Sequence, residues 1–87
     1  MIIEFEEKLL ELIDQRIASA SDDELFAGGY LRGHISLSAA ACEEAGEEDI
    51  AILKSRIESS LEEARAELSP ADRTIVSELW QELVAEV

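Results

Sequence analysis

The chain has 87 residues, of which 21 are acidic and seven are basic, so its formal net charge is −14. This length suits one domain, and a 47% share of apolar residues provides enough material for a core. The strong negative charge repels phosphate backbones and anionic lipid headgroups. No apolar run approaches the roughly 20 residues that a membrane span requires. We therefore expect a folded protein that binds neither nucleic acid nor a membrane.

The first predicted element is an amphipathic helix over about residues 2–19. Apolar residues recur there at helical spacing and outline one face: Ile2, Phe5, Leu9, Leu12, Ile13 and Ile17. Arg16 lies within this apolar arc. We expect its stem to lie along apolar surface with the guanidinium in water, or the guanidinium to pair with Asp22 or Asp23.

The second predicted helix covers about residues 22–45. It begins at a capping box, in which the Ser21 and Glu24 side chains can each accept a hydrogen bond from the other residue's amide, and Gly46 can end it. Its apolar residues form two opposite faces: Phe26, Gly29, Gly33, Leu37 and Ala40 on one side, and Leu31, Ile35 and Cys42 on the other. A helix that is apolar nearly all round is usually buried. We therefore expect this helix to be the centre of the bundle, wrapped by neighbours, or to be shared with a second copy.

Two further helices are predicted over about residues 49–68 and 70–85. The third helix has the most regular apolar pattern, at Ile50, Leu53, Ile57, Leu61, Ala64 and Leu68. Pro70 and Asp72 suit the first turn of the fourth helix, whose inward residues are Ile75, Val76, Leu79, Trp80, Leu83 and Val84. No segment alternates with the period of a strand. Because the connections are short, we predict an all-α, single-domain antiparallel four-helix bundle formed by residues 1–87.

The sequence lacks the patterns of catalytic and metal-binding sites. It contains one histidine, His34, and one cysteine, Cys42, and eight helical residues separate them by about 12 Å. Across that distance they cannot share a zinc ion or form a cysteine–histidine catalytic pair. The acidic run at residues 43–49 lacks the ligand spacing of a calcium loop. We therefore predict no metal, no cofactor and no enzymatic activity.

Residues 28–34 break the rules of a helix interior. Five of them form a candidate binding or interface site: Gly29, Tyr30, Arg32, Gly33 and His34. Each interior glycine costs a helix about 0.5–1 kcal/mol relative to alanine, and close packing of another helix would offset that cost. Gly29 and Gly33 are one turn apart, so the pattern favours a neighbouring helix seated on these two positions.

The alternative is that Tyr30, Arg32 and His34 bind a small molecule or an anionic group. Arginine suits two-point contact with a carboxylate or a phosphate, and histidine titrates near neutral pH. Residues 32 and 34 are, however, about 160° apart around a helix. One small ligand would have difficulty touching both side chains.

Two blocks of the sequence are distinctive. The first comprises SDDELFA at residues 21–27 and GYLRGH at residues 29–34, and the second is LSP at residues 68–70, followed by Asp72 and Trp80. Together they resemble the YfcL family of small gammaproteobacterial proteins. The resemblance spans nearly the whole chain and implies a bacterial cytoplasmic, all-helical protein. It implies no reaction and no ligand.

We predict that the chain is an acidic, cytoplasmic protein-interaction module. The two apolar faces of the second helix suit a protein partner, or a second copy in a homodimer, and the net charge favours basic partners. A single cysteine cannot form an intramolecular disulfide, which fits a reducing compartment. Glu4, Glu6 and Glu7 stand where a secretory signal would be basic and then apolar, so we expect no export. Binding of a small molecule or an anion remains the alternative function.

Overall fold

A computed structural model describes all 87 residues and contains helices and turns but no strand. The four α-helices are α1 (Ile2–Gln15), α2 (Asp22–Glu44), α3 (Ile50–Glu63) and α4 (Pro70–Glu86). Short 3-10 turns at Ile17–Ser19 and Arg65–Glu67 follow α1 and α3. The predicted all-α four-helix bundle is confirmed, although α1 and α3 end about one turn earlier than the sequence pattern suggests.

The ends of α2 follow from local hydrogen bonding. Ser21 Oγ accepts a hydrogen bond from the Glu24 backbone amide, and the Glu24 carboxylate accepts one from the Ser21 amide. This is the predicted capping box. Gly46 has a φ of 72°, and its amide donates back to the last turn of α2, as expected for a glycine that ends a helix.

Helix α2 is the central element, because it contacts each of the other three helices more extensively than they contact one another. The core contains 14 buried apolar side chains. Five of them come from α2, among them Leu31, Ile35 and Cys42, which are fully buried, so one of its two predicted apolar faces packs as expected. Trp80 of α4 is also buried, which confirms its predicted place in the core.

The opposite face of α2 is open to solvent, so the prediction that neighbours wrap this helix on nearly every side is wrong. Leu37 is 73% exposed and Phe26 is 42% exposed. Gly29 and Gly33 lie between them, Ala40 lies one turn beyond Leu37, and all three are also exposed. Helices α1, α3 and α4 all pack on the side of α2 that carries Leu31 and Ile35. Both faces have apolar residues at helical spacing, and that spacing alone does not tell which face is buried.

Helix α4 packs against the amino-terminal half of α2. The Trp80 indole N–H donates a 3.0 Å hydrogen bond to Glu58 of α3. The last turns of α4 reach the end of α1, where Arg16 contacts Glu82 and Glu86 at 2.9 Å and 2.8 Å. In a regular up-down bundle the end of α4 would instead lie beside the start of α1. A cleft lies between α1, α2 and α4, and a groove lies between α3 and α4.

None of the four helices combines the length with the apolar composition that crossing a bilayer would need.

Candidate functional site

Tyr30 and His34 come together on the flank of α2 that faces α3. Their ring centroids are 4.6 Å apart, and the Phe26 ring lies 5.9 Å from that of Tyr30. Residues four apart lie on the same side of a helix, which is why these rings form a ladder. His34 Nδ1 shares a hydrogen bond with Ser60 Oγ, and the Tyr30 hydroxyl donates a long one, 3.5 Å, to Glu67. The polar atoms of His34 and Tyr30 therefore join α2 to α3 and to the 3-10 turn that follows it.

The environment of Tyr30 keeps its hydroxyl protonated. Partial burial raises the pKa of Tyr30, and the negative charge and hydrogen bond of Glu67 raise it further. A neutral phenol beside a carboxylate acts as a hydrogen-bond donor. Tyr30 is therefore a structural donor to the segment that follows α3.

Arg32 lies on the opposite flank of α2, where its Nη2 is 3.4 Å from Asp14 Oδ2 of α1. It lines the cleft between α1, α2 and α4, whereas Tyr30 lines the groove between α3 and α4. The structure therefore brings Tyr30 and His34 together but separates both from Arg32. Tyr30, Arg32 and His34 therefore do not line a common pocket in which one ligand could contact all three.

The prediction that another helix of the chain packs on Gly29 and Gly33 is wrong. A Cβ atom added at either position would meet no other group within 4 Å. The close approach occurs instead at Gly28, where a Cβ atom would lie 3.2 Å from Ile13 Cγ2 of α1. Gly28 adjoins the buried face of α2, whereas Gly29 and Gly33 point outward.

We call the exposed residues Phe26, Gly29, Gly33, Leu37 and Ala40 the outward face of α2. Residues 25–42 contain no acidic side chain, although 21 of the 87 residues are acidic. Arg32 is the one formal charge in this stretch, and it is paired with Asp14. Acidic residues resume directly at both ends, at 22–24 and 43–44. The outward face is therefore an uncharged, partly apolar strip on a strongly negative protein.

The cleft between α1, α2 and α4 has a volume of about 270 Å³. Its apolar lining comprises Ile13, Ile17, Ala20, Leu25, Ala27, Ile75 and Leu79. Ile17 is 54% exposed and Leu25 is 45% exposed. Ile17 was expected in the core, but α1 ends at Gln15 and the following 3-10 turn leaves this side chain partly in solvent.

Charged side chains surround the same cleft: Asp14, Arg16, Glu24, Arg32, Glu78 and Glu82. Arg16 pairs with Glu82 and Glu86, and not with Asp22 or Asp23 as one of the two expectations held. Hydrogen bonds from Arg16 to Glu86 and Glu82 raise its pKa above the ordinary arginine value. Sequence reasoning missed this cleft because one of its walls comes from α4, which is distant in the chain from α1 and α2.

The groove between α3 and α4 is similar in size, about 310 Å³, and is lined by Tyr30, Trp80, Arg65 and Arg73 among others. Arg65 is paired with Glu62 at 3.4 Å. Trp80 is bonded to Glu58, so much of the polar lining is already satisfied within the protein. The structure groups no three His, Cys, Asp or Glu side chains in a way that could hold a metal ion.

Comparisons with known proteins place this chain in a family. The family model described as "YfcL protein" matches residues 3–85. The chain is 45% identical over 85 residues to the protein YfcL of Escherichia coli (strain K12), which is described as uncharacterized, and the match covers 95% of this chain and 92% of that protein. No solved structure is a significant match. Because the family model and the Escherichia coli protein each match nearly the whole chain, the chain belongs to the YfcL family.

Proposed function

We propose that this chain is a non-enzymatic protein-interaction module of the cytoplasm, and that its partner docks on the outward face of α2. The observation that carries the proposal is the exposed, uncharged strip from Phe26 to Ala40 on a chain of net charge −14. Exposed apolar strips of this kind mark interaction surfaces in soluble proteins more often than scattered apolar residues do. Leu37, the most exposed large apolar side chain, belongs to this strip.

The exposed glycines support this proposal. Gly29 and Gly33 each destabilise the helix by about 0.5–1 kcal/mol relative to alanine, and neither makes a close contact within the chain that would offset this. Two small residues one turn apart allow a partner helix to approach the α2 backbone closely. A docking role therefore explains two residues that the fold alone does not.

The charge pattern favours a basic partner over a second copy of this chain. Acidic residues 22–24 and 43–44 bracket the outward face. In a parallel dimer of α2 helices, each acidic segment would face the same acidic segment of the second copy. In an antiparallel dimer, residues 22–24 of one copy would face residues 43–44 of the other. Either arrangement brings like charges together, whereas a partner with lysine or arginine at these positions would be attracted.

Two side chains support a binding role in a reducing compartment. Cys42 is fully buried and free, as suits a small core residue better than a nucleophile or a disulfide partner. His34 is engaged with Ser60 and with the Tyr30 ring. Cys42 has no hydrogen-bonded base, and His34 makes no second hydrogen bond that would orient its ring for catalysis with Ser60.

The test is to purify tagged variants from the native host and compare what each retains. Leu37→Asp places a charge on the outward face, and Ile3→Asp is the matched control on exposed surface of α1. We expect a basic protein to be retained by the wild type and by Ile3→Asp but to be lost from Leu37→Asp. If both variants retain the same proteins, the outward face is not the docking surface.

Photocrosslinking from the same position provides a direct readout. Because the one native cysteine is buried, a Leu37→Cys variant can be labelled selectively with a photoreactive group. We expect the crosslinked product to contain the same basic protein. A product that contains only a second copy of this chain, together with a dimer in analytical ultracentrifugation, would replace the basic partner with self-association.

A further inference from the structure

We infer that the cleft between α1, α2 and α4 takes a large apolar side chain from a basic amphipathic helix, while a neighbouring lysine or arginine of that helix pairs with Glu24 or Glu78. This inference rests on the proposed function, because it names the chemistry of the partner that docks on α2. The cleft adjoins the docking surface directly. Gly29 belongs to both the outward face and the cleft lining.

The size of the cleft favours a side chain as its occupant. Pockets for cofactors and drug-sized molecules usually have volumes of about 300–1,000 Å³. The cleft, at about 270 Å³, lies at the lower end of this range and has room for one or two apolar side chains. Ile17 and Leu25 are partly exposed beside it, so an inserted leucine, methionine or phenylalanine would remove apolar surface from water on both molecules.

The charges around the cleft favour a cation beside that apolar group. Both arginines of the rim are already engaged, Arg16 with α4 and Arg32 with Asp14. Glu78 takes part in no ion pair. Glu24 accepts a hydrogen bond from the Ser21 amide, which lowers the pKa of Glu24 and keeps it ionised. The rim therefore has free carboxylates but no free cation.

The absence of side chains at two adjacent positions helps to keep the cleft open. Gly28 and Gly29 both line it. At Gly28 a Cβ atom would crowd Ile13, which forms part of the same wall. Gly28 and Gly29, inside the continuous helix α2, therefore lie where a partner helix would approach both the backbone of α2 and the cleft.

Three synthetic helical peptides of equal length test this inference. The first peptide has leucine on one face of the helix and lysine on the other. The second peptide has alanine in place of leucine, and the third has glutamate in place of lysine. We expect the leucine–lysine peptide to bind about tenfold or more tightly than the alanine–lysine peptide, because one buried leucine contributes that much. In NMR titrations its shifts should centre on the amides of Ile17, Leu25, Gly28 and Gly29. The leucine–glutamate peptide should not bind.

Matched variants separate cleft binding from general attraction to an acidic protein. Leu25→Ser and Glu78→Gln should each weaken the leucine–lysine peptide several-fold. Ile3→Ser and Glu63→Gln make the same chemical changes at exposed sites outside the cleft and should leave its affinity unchanged. Circular dichroism is the check that each variant keeps the fold. Glu78 is exposed, so we expect Glu78→Gln to leave the packing unchanged.

Two results would overturn the inference. Equal binding of the leucine–lysine and alanine–lysine peptides would show attraction by charge alone, and equal affinities of Leu25→Ser and Ile3→Ser would place the apolar contact elsewhere. If the host partner is still lost from Leu37→Asp in that case, only the cleft inference fails and the proposed function stands. If the peptides need the cleft but Leu37→Asp retains every protein, the docking surface on α2 fails and the cleft remains.

Discussion

At the scale of single residues, the glycines of α2 differ in their surroundings although the sequence presents them as one cluster. Gly28 is buried against Ile13, and Gly29 and Gly33 are exposed. Packing explains the glycine at position 28, since a side chain there would crowd Ile13 of α1. The other two lower the stability of the helix without a packing cause. Substitution to alanine separates these two situations.

Gly29→Ala should raise the free energy of unfolding by about 0.5–1 kcal/mol, because alanine lowers the entropy of the unfolded chain and meets no obstacle in the folded one. Gly28→Ala should gain less or lose stability, since its Cβ atom would lie 3.2 Å from Ile13, a side chain packed in the core. Urea unfolding followed by the fluorescence of Trp80, the one tryptophan, measures both.

Equal effects of Gly28→Ala and Gly29→Ala would contradict the close contact between α1 and α2. The same variant links stability to the proposed function: Gly29→Ala should be more stable yet bind the partner less well, because its methyl group stands on the docking surface. If Gly29→Ala stabilises the protein but binds the partner as well as the wild type does, the proposed role of Gly29 in docking is contradicted.

At the scale of elements, local signals in the sequence predicted the four helices and the caps of α2 correctly, although α1 and α3 end about one turn earlier than predicted. Ser21, Glu24 and Gly46 act over a few residues, so their roles can be read from spacing. The placement of α4 cannot be read in that way. It depends on contacts such as Arg16 with Glu86, which are 70 positions apart in the chain, and helical periodicity contains no information about partners at that distance.

The candidate site shows the same division. The sequence identified residues 28–34 as unusual, and the structure places several of them on an exposed face and beside a cleft. It did not show which of two apolar faces is buried, because Leu31 and Ile35 repeat at the same spacing as Gly33 and Leu37. Only the packing of three other helices decides between the faces.

Arg16 should hold the end of α4 against the end of α1. Replacing it by glutamine removes both ion pairs, and because these groups are partly exposed we expect the free energy of unfolding to fall by only about 1 kcal/mol or less. Hydrogen exchange should respond more clearly: the last turns of α4, near Glu82 and Glu86, should exchange faster in Arg16→Gln.

Lys8→Gln is the matched control for Arg16→Gln. Lys8 pairs only with Glu11 in its own helix, at 3.9 Å and with both side chains largely in water. Its loss should leave the exchange of α4 unchanged. The same protection of α4 in Arg16→Gln and Lys8→Gln would mean that apolar packing alone holds the end of this helix.

At the scale of the whole molecule, negative charge is the dominant feature outside the core. Of the 21 acidic residues, six take part in an ion pair with a cation of the chain: Glu4, Glu11, Asp14, Glu62, Glu82 and Glu86. The others repel one another across a small protein whose radius of gyration is 12.5 Å. This repulsion opposes the compact state and acts more weakly once the chain expands.

Added salt should therefore stabilise the protein. The screening length falls from about 30 Å at 0.01 M to about 3 Å at 1 M ionic strength, so NaCl weakens the repulsion among the unpaired acids more than it weakens the few ion pairs. We expect the midpoint of urea unfolding to rise with NaCl, and KCl to act equally, because screening depends on ionic strength and not on the identity of the cation. A midpoint that falls with salt would show that ion pairs such as those of Arg16 outweigh the repulsion. A larger effect of one cation than of the other would point to a bound ion.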